Sequence, residues 1–171
     1  MTRYVALLRG VNVGGVTIKM VDLADLVSGL GYTDVSTVLA SGNVLFTSTD
    51  AASAAKSALE AALRTRFGYE AWVHVLTVDA IRELIAAYPF ARESGRHAYV
   101  VFAVTPGVRA ELLAVELDPA VEQAQAGDGV VYWSVPKGST LDSALGKAQA
   151  KAAYTPWLTT RNLNTLEKLA H

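Results

Sequence analysis

Five apolar residues in a row, Tyr4, Val5, Ala6, Leu7 and Leu8, stop abruptly at Arg9 and run into the turn Gly10, Val11, Asn12, Val13, Gly14 and Gly15. A run without polar alternation suits a strand covered on both faces, so it belongs at the centre of a sheet rather than at a half-wet edge. The glycines and the asparagine leave the backbone free just after that strand, in the kind of loop where binding sites often form.

The segments that follow complete a recognisable order. Met20, Leu23, Leu26, Val27 and Leu30 fall at helical spacing, and Gly31 is a left-handed stop. Thr33 to Leu39 and Asn43 to Thr47 read as strands of a tight hairpin turned by Ala40, Ser41 and Gly42. Ala52, Ala55, Leu59, Leu63 and Phe67 make a second helix ending at Gly68, and Trp72 to Leu76 a fourth strand. Strand, helix, two strands, helix, strand is the order of the ferredoxin-like split unit, with both helices on one face of an antiparallel sheet. Residues 1–76 are expected to form one such layer.

Residues 77–171 repeat part of that vocabulary without visible sequence repetition. Thr77 or Asp79 caps a helix carrying Ile81, Leu84, Ile85 and Tyr88, which Pro89 stops. A short polar loop, Arg92 to Arg96, precedes the apolar strand His97 to Val104, and Thr105 with Pro106 starts the next helix. Val121 to Gln125 and Val130 to Val135 flank a Gly127, Asp128, Gly129 hairpin. Ser139 is expected to cap a helix running through Leu141, Ala144, Leu145, Ala148 and Ala152, and Thr160 to Ala170 to form a last helix on Leu163, Leu166 and Leu169. The organisation expected is α+β, with halves at 1–76 and 77–171 that form two lobes or one compact unit, and a C-terminal helical segment.

Composition narrows the function classes. Of 171 residues, 51% are hydrophobic and 18% charged, which describes a compact globular chain rather than a disordered one. The absence of cysteine excludes disulfides, a thiol nucleophile, thiolate-bound zinc and iron-sulfur clusters, and fits a reducing cytoplasm. The N-terminal apolar run is too short for a membrane span and lacks a signal-peptide pattern, so a cytoplasmic protein without a membrane partner is expected. With 15 basic and 16 acidic residues there is no global field to gather phosphates, and nucleic acid is a less favoured partner than a small ligand.

Three clusters carry candidate chemistry. In the first turn, main-chain donors and the Arg9 guanidinium can converge on an anion, although the spacing matches neither a P-loop nor a dinucleotide fingerprint. The alternative is that the glycines turn the chain and Arg9 pairs with a carboxylate. Ser41, Gly42 and Asn43 offer a hydroxyl and an amide at the hairpin tip, yet turn chemistry alone accounts for them, and no elbow motif or neighbouring histidine activates Ser41. Thr159, Thr160, Arg161, Asn162, Leu163, Asn164 and Thr165 supply helix caps, or an anion site from an arginine and amides gathered at a helix start.

Elsewhere the ordinary explanation prevails. His74, His97 and His171 lack ligand spacing, so no metal is expected, and no cofactor is assigned. Tyr132, Trp133 and Trp157 can stack a ring but are more often core or rim aromatics. Lys137, Lys147, Lys151 and Arg161 make the C-terminal third the most basic region, which a solvated helix face also explains.

Tyr4 to Gly15, then Lys19, Met20 and Leu23, Gly31 to Val35, Ser41 to Val44, and Thr159 to Thr165 with Lys168 and Leu169 together resemble the bacterial family catalogued as domain of unknown function 1697. The resemblance covers nearly the whole chain in order. It implies an α+β protein built from two ferredoxin-like halves with mainly antiparallel sheets, and no established activity. The family's signature falls here on Arg9, Gly10, Asn12, Gly14, Gly15, Ser41, Gly42, Asn43, Arg161 and Asn162, polar residues placed in loops. The family often has an aromatic residue after the Arg-Asn pair, where this chain has Leu163, which weakens any case for ring stacking there.

The function expected first is the binding of a small anionic ligand, a nucleotide or a phosphorylated metabolite, by Arg9, Gly10, Asn12, Gly14, Gly15, Ser41, Asn43, Arg161 and Asn162 drawn together. A nucleic-acid binder on an open ferredoxin-like sheet is a second possibility, against which stands the single ring, Phe46, in the strand Asn43 to Thr47. A protein-interaction or self-associating module is the third. Without a recognisable nucleophile, metal set or base, no reaction is assigned.

Overall fold

The computed structural model describes residues 1–10, 16–151 and 153–171. The chain divides into two compact units, one of residues 1–82 with 168–171 and one of residues 83–167.

The first unit contains β1 (Thr2–Leu8), α1 (Met20–Gly29), β2 (Thr33–Thr37), β3 (Asn43–Ser48), α2 (Ala52–Phe67) and β4 (Val73–Thr77). Its four strands lie in the order β2-β3-β1-β4 and every pair is antiparallel, which is the ferredoxin-like arrangement. The unbroken apolar run does what its pattern implies: β1 is central, and Tyr4 to Leu8 are all buried. Leu23, Leu26 and Val27 of α1 and Ala55, Leu59 and Leu63 of α2 pack on one sheet face with Tyr4, Ala6, Leu8, Val44 and Phe46. Each helix ends where a left-handed residue turns the chain, at Gly31 (φ +88°) and Gly68 (φ +67°).

The second unit contains β5 (Arg96–Ala103), α4 (Pro106–Leu113), β6 (Gln123–Ala126), β7 (Val130–Pro136), α5 (Ala144–Gln149) and β8 (Leu158–Asn162). Its order, β6-β7-β5-β8, reproduces that of the first unit position for position, again antiparallel throughout. Val101, Val131, Trp133, Val135 and Leu158 of the sheet pack with Leu112 of α4 and Leu145 and Ala148 of α5. Two helices are divided between the units, α3 (Val78–Ala86) and α6 (Leu163–Leu169). Thr77 caps α3 by accepting from the Ala80 amide at 3.0 Å.

The fold is thus α+β with two four-stranded antiparallel sheets, each carrying two helices, and a C-terminal helix. Two local expectations need correction. Thr160 to Ala170 is not one helix: Leu158–Asn162 is a strand, and only Leu163–Leu169 is helical. The edge of β5 offers unpaired backbone groups, and the extended Leu158, Thr159 and Thr160 satisfy them in register with Ala103, Phe102 and Val101.

The helix expected to start at Ser139 starts instead at Ala144, with Ser143 as its cap at 3.1 Å from the Gly146 amide. The segment before it folds back over the helix, and a Cβ on Gly146 would lie 1.8 Å from the Thr140 carbonyl oxygen. That close approach turns residues 139–142 away from the helix axis and leaves Leu141 exposed. Ala152, expected within this helix, lies outside the described residues.

Candidate functional site: a cationic cleft at one end of the second sheet

Three chain segments end together at one edge of the second sheet. Arg96, the first residue of β5, stands opposite Pro136, the last of β7. The Lys137 amide donates to the Gly95 carbonyl at 3.0 Å, which holds the loop before β5 beside the segment after β7. Asn162, the last residue of β8, is in register with Tyr99, and its amide nitrogen lies 3.5 Å from His97 Nδ1. Between these ends lies a cleft of about 330 Å³.

Its lining is rich in cations. Arg92, Arg96 and Lys137 face it against the single carboxylate of Glu93, with Ser94, His97, Asn162 and Asn164 among the polar groups. Arg96 is fixed by its own hydrogen bonds: Nε donates to Ser134 Oγ at 2.9 Å, and Nη2 to the carbonyls of Val121 and Ser134 at 2.9 and 3.1 Å. Its Nη1 makes no hydrogen bond among the described residues. Arg92 donates to Glu167 and to Asn164 Oδ1, which tie it to α6. The exposed Lys137 ammonium has no side-chain partner among the described residues. Two cationic lining residues therefore keep donors that have no partner among the described residues, one of them on a side chain already locked in place.

Of the residues singled out from the sequence, Asn162 lines this cleft and Arg161 does not. Strand alternation puts them on opposite faces of β8. Arg161 is 7% exposed, and its Nη1 donates to Thr159 Oγ1 at 2.7 Å and to the Thr160 carbonyl at 3.1 Å. Burial pushes its guanidinium down to about 10. Leu163, where the family often has an aromatic ring, is buried.

In the first unit, the hairpin and the first turn meet. The Leu8 amide donates to the Gly42 carbonyl at 2.8 Å, and the Arg9 amide to the Trp72 carbonyl at 3.1 Å. Arg9 is half-buried, and desolvation lowers the pKa of its guanidinium. Gly10 takes a φ of +71°. Asn43 is fully buried, its amide donating to the Val38 carbonyl at 2.8 Å and to Ser41 Oγ at 2.9 Å, so it holds the hairpin that carries Ser41. Asn12, Gly14 and Gly15 lie outside the described residues.

Sequence reasoning passed over Arg92, Arg96 and Lys137 as sites, treating the first two as ends of a polar loop. A signal was present: basic residues immediately before one apolar strand and immediately after another become neighbours whenever those strands pair antiparallel. The aromatics divide as composition suggests. Trp133 and Tyr132 are core residues, with Trp133 Nε1 donating to Glu122 at 3.0 Å and the Tyr132 hydroxyl to the Leu84 carbonyl at 2.8 Å. Phe46 is likewise buried, stacked on Tyr32 with ring centroids 4.8 Å apart, and offers no free ring to a base. Among the described residues no group of three or more histidines or carboxylates is disposed to hold a metal ion, and no helix is long and apolar enough to cross a membrane.

A family model described as protein of unknown function (DUF1697) matches residues 1–132. The chain belongs to the DUF1697 family. Membership accords with the motifs from Tyr4 to Gly15 and from Ser41 to Val44, whereas the Thr159 to Thr165 motif falls beyond the matched span. Among solved structures, this DUF1697 chain is similar to the conserved bacterial protein SP0830 from Streptococcus pneumoniae, with a TM-score of 0.83 and 25% identity over 99% of this chain and 97% of that one. No curated protein matches it.

Proposed function

We propose that this DUF1697 protein binds a small anionic ligand, of the nucleotide or phosphorylated-metabolite class, in the cleft at the end of its second sheet. The observation that carries this reading is the lining: Arg92, Arg96 and Lys137 against Glu93, with Arg92 balanced by Glu167 behind it and the Lys137 ammonium and Arg96 Nη1 uncommitted among the described residues. A phosphate group brings nearly two negative charges and three acceptor oxygens, and it takes up such donors without forcing any buried charge apart. The cleft volume, about 330 Å³, is at the small end of ligand sites and favours a compact molecule over a polymer. Under this reading the protein works in the cytoplasm, and Asn162, with Asn164 of the same Thr159 to Thr165 cluster, touches ligand.

The test is a titration of the whole protein with inorganic phosphate and pyrophosphate, followed by amide chemical shifts. Shifts are expected at residues 92–97 and 137. Lys137→Ala is expected to weaken binding by about fivefold, with stability changed by less than about 0.5 kcal/mol because the side chain is exposed. Lys137→Arg is expected to restore binding. If no amide in these segments responds to either anion, the cleft is not an anion site.

A further inference from the structure

We infer that the ligand of this cleft is a small phosphorylated polyol or sugar, and neither a nucleotide nor a bare inorganic anion; the inference rests on the anion-site reading above. The lining has two chemically distinct parts. One holds the cations Arg92, Arg96 and Lys137, and the other holds Asn162, Asn164, Ser94 and Ser134; Ser134 Oγ and Asn164 Oδ1 each already accept one bond from an arginine and Asn162 Oδ1 one from the Asn164 amide, which leaves the side-chain N–H groups, the hydroxyls and the second lone pairs. Cations alone would suit phosphate or sulfate. Amides and hydroxyls beside them match groups that donate and accept at once, which is the property of sugar hydroxyls.

The absence of a stacking surface decides against a nucleotide. Base recognition draws much of its strength from an aromatic face or a stacked guanidinium. Among the described residues no Phe, Tyr or Trp lines the cleft. The ring that lines it among the described residues, His97, packs against Tyr99 with centroids 5.3 Å apart, and Asn162 approaches its Nδ1. The Arg96 guanidinium is held by Ser134 and Val121, and that of Arg92 by Glu167 and Asn164, so both are positioned by the protein's own hydrogen bonds. A ligand here is gripped at its phosphate and read through hydrogen bonds.

The experiment compares four probes on the full chain by calorimetry and amide shifts: inorganic phosphate, glycerol 3-phosphate, glucose 6-phosphate and adenosine 5′-monophosphate. At least one of the two phosphorylated polyols is expected to bind about tenfold tighter than inorganic phosphate and than the nucleotide. Ser94→Ala, a change at an exposed side chain that holds neither arginine, is expected to remove most of that advantage while leaving phosphate affinity within about twofold. If the nucleotide or inorganic phosphate binds as tightly as both polyol phosphates, with shifts at residues 92–97 and 137, the inference fails and the anion site stands. If none of the four perturbs those residues, both fall together.

Discussion

The two units share a strand order but stabilise their helices by different means. In the first, α1 and α2 span 10 and 16 residues, and their N-cap residues, Lys19 and Ala51, make no side-chain cap hydrogen bond. In the second, α4 and α5 span only 8 and 6 residues, and each start is held by a side chain, Thr105 accepting from the Val108 amide and Ser143 from the Gly146 amide. Long helices bury enough apolar surface to stay ordered without caps, whereas a one- or two-turn helix leaves most of its backbone groups without intrahelical partners. The second unit therefore reaches the same topology through polar groups placed from a distance. Glu122 is the clearest case. Its buried carboxylate accepts from the Ala144 amide at 2.9 Å, the Leu145 amide at 3.2 Å and Trp133 Nε1 at 3.0 Å.

The largest effect expected from this contrast comes from removing that carboxylate. Glu122→Ala leaves three donors unmet, two of them buried, and is expected to destabilise the second unit by about 4 kcal/mol, whereas Glu122→Gln retains an acceptor and costs about half as much. Leu59→Ala in α2, the matching insult to a unit held by apolar packing, is expected to cost about 3 kcal/mol. Denaturant titration gives the totals, and hydrogen exchange resolved by segment assigns them. If Glu122→Ala left the amides of α5 as protected as in the wild type, α5 would owe its order to packing and the contrast would collapse.

The same division separates what was legible in the chain from what was not. Apolar periodicity placed β1, α1, α2 and β4 within a few residues, because in the first unit the side chains that make an element also bury it. Thr105 and Pro106 announced α4 for a similar reason: the cap adjoins the helix it starts. Glu122, by contrast, caps a helix 22 residues away, and no local pattern reveals that. The strand Leu158–Asn162 was hidden because its partner, β5, lies some 60 residues back, and Thr-Thr-Arg-Asn reads equally well as the run-in to a helix. The cleft suffered from the same blindness. Asn162 was visible as a polar residue in a distinctive motif, but Arg92, Arg96 and Lys137 become a set only once β5 and β7 pair.

A second way to sharpen the comparison is to raise the pH. Burial, then a hydrogen bond and the charge of Asp50, push the Tyr32 phenol up to about 12, and burial alone does the same for Tyr69, whose hydroxyl is buried and finds no partner among the described residues. Both belong to the first unit. Above pH 10 the unfolded chain gives up these phenolic protons while the folded unit keeps them, so stability falls as pH rises from about 10 towards about 12. The slope for each group is at most about 1.4 kcal/mol per pH unit in that window, and smaller for the part-exposed Tyr69, where solvent screens the phenolate. Tyr88 and Tyr132 of the second unit shift in the same direction through burial, so the second unit also weakens. Segment-resolved exchange across the window is expected to show Tyr32→Phe with Tyr69→Phe relieving the loss in the first unit only. An equal relief in both units would mean that the alkaline transition is global.

The smallest effect is the one that tests the contrast by construction rather than by damage. Ala51 already has the extended backbone of a cap residue, φ −67° and ψ 153°, and it is exposed, so Ala51→Ser introduces a side-chain acceptor where α2 has none and disturbs no packing. A serine there should accept from an amide of the first helical turn and stabilise the first unit by about 1 kcal/mol, while Ser143→Ala removes a comparable bond from the second unit and destabilises it by a similar amount. If α2 gains nothing from a cap, its 16 residues already hold their first turn by burying Ala55 and Leu59, and caps matter only where a helix is too short to anchor itself. If it gains the full amount, the two units obey one rule and differ only in which of their helices has been supplied with a cap.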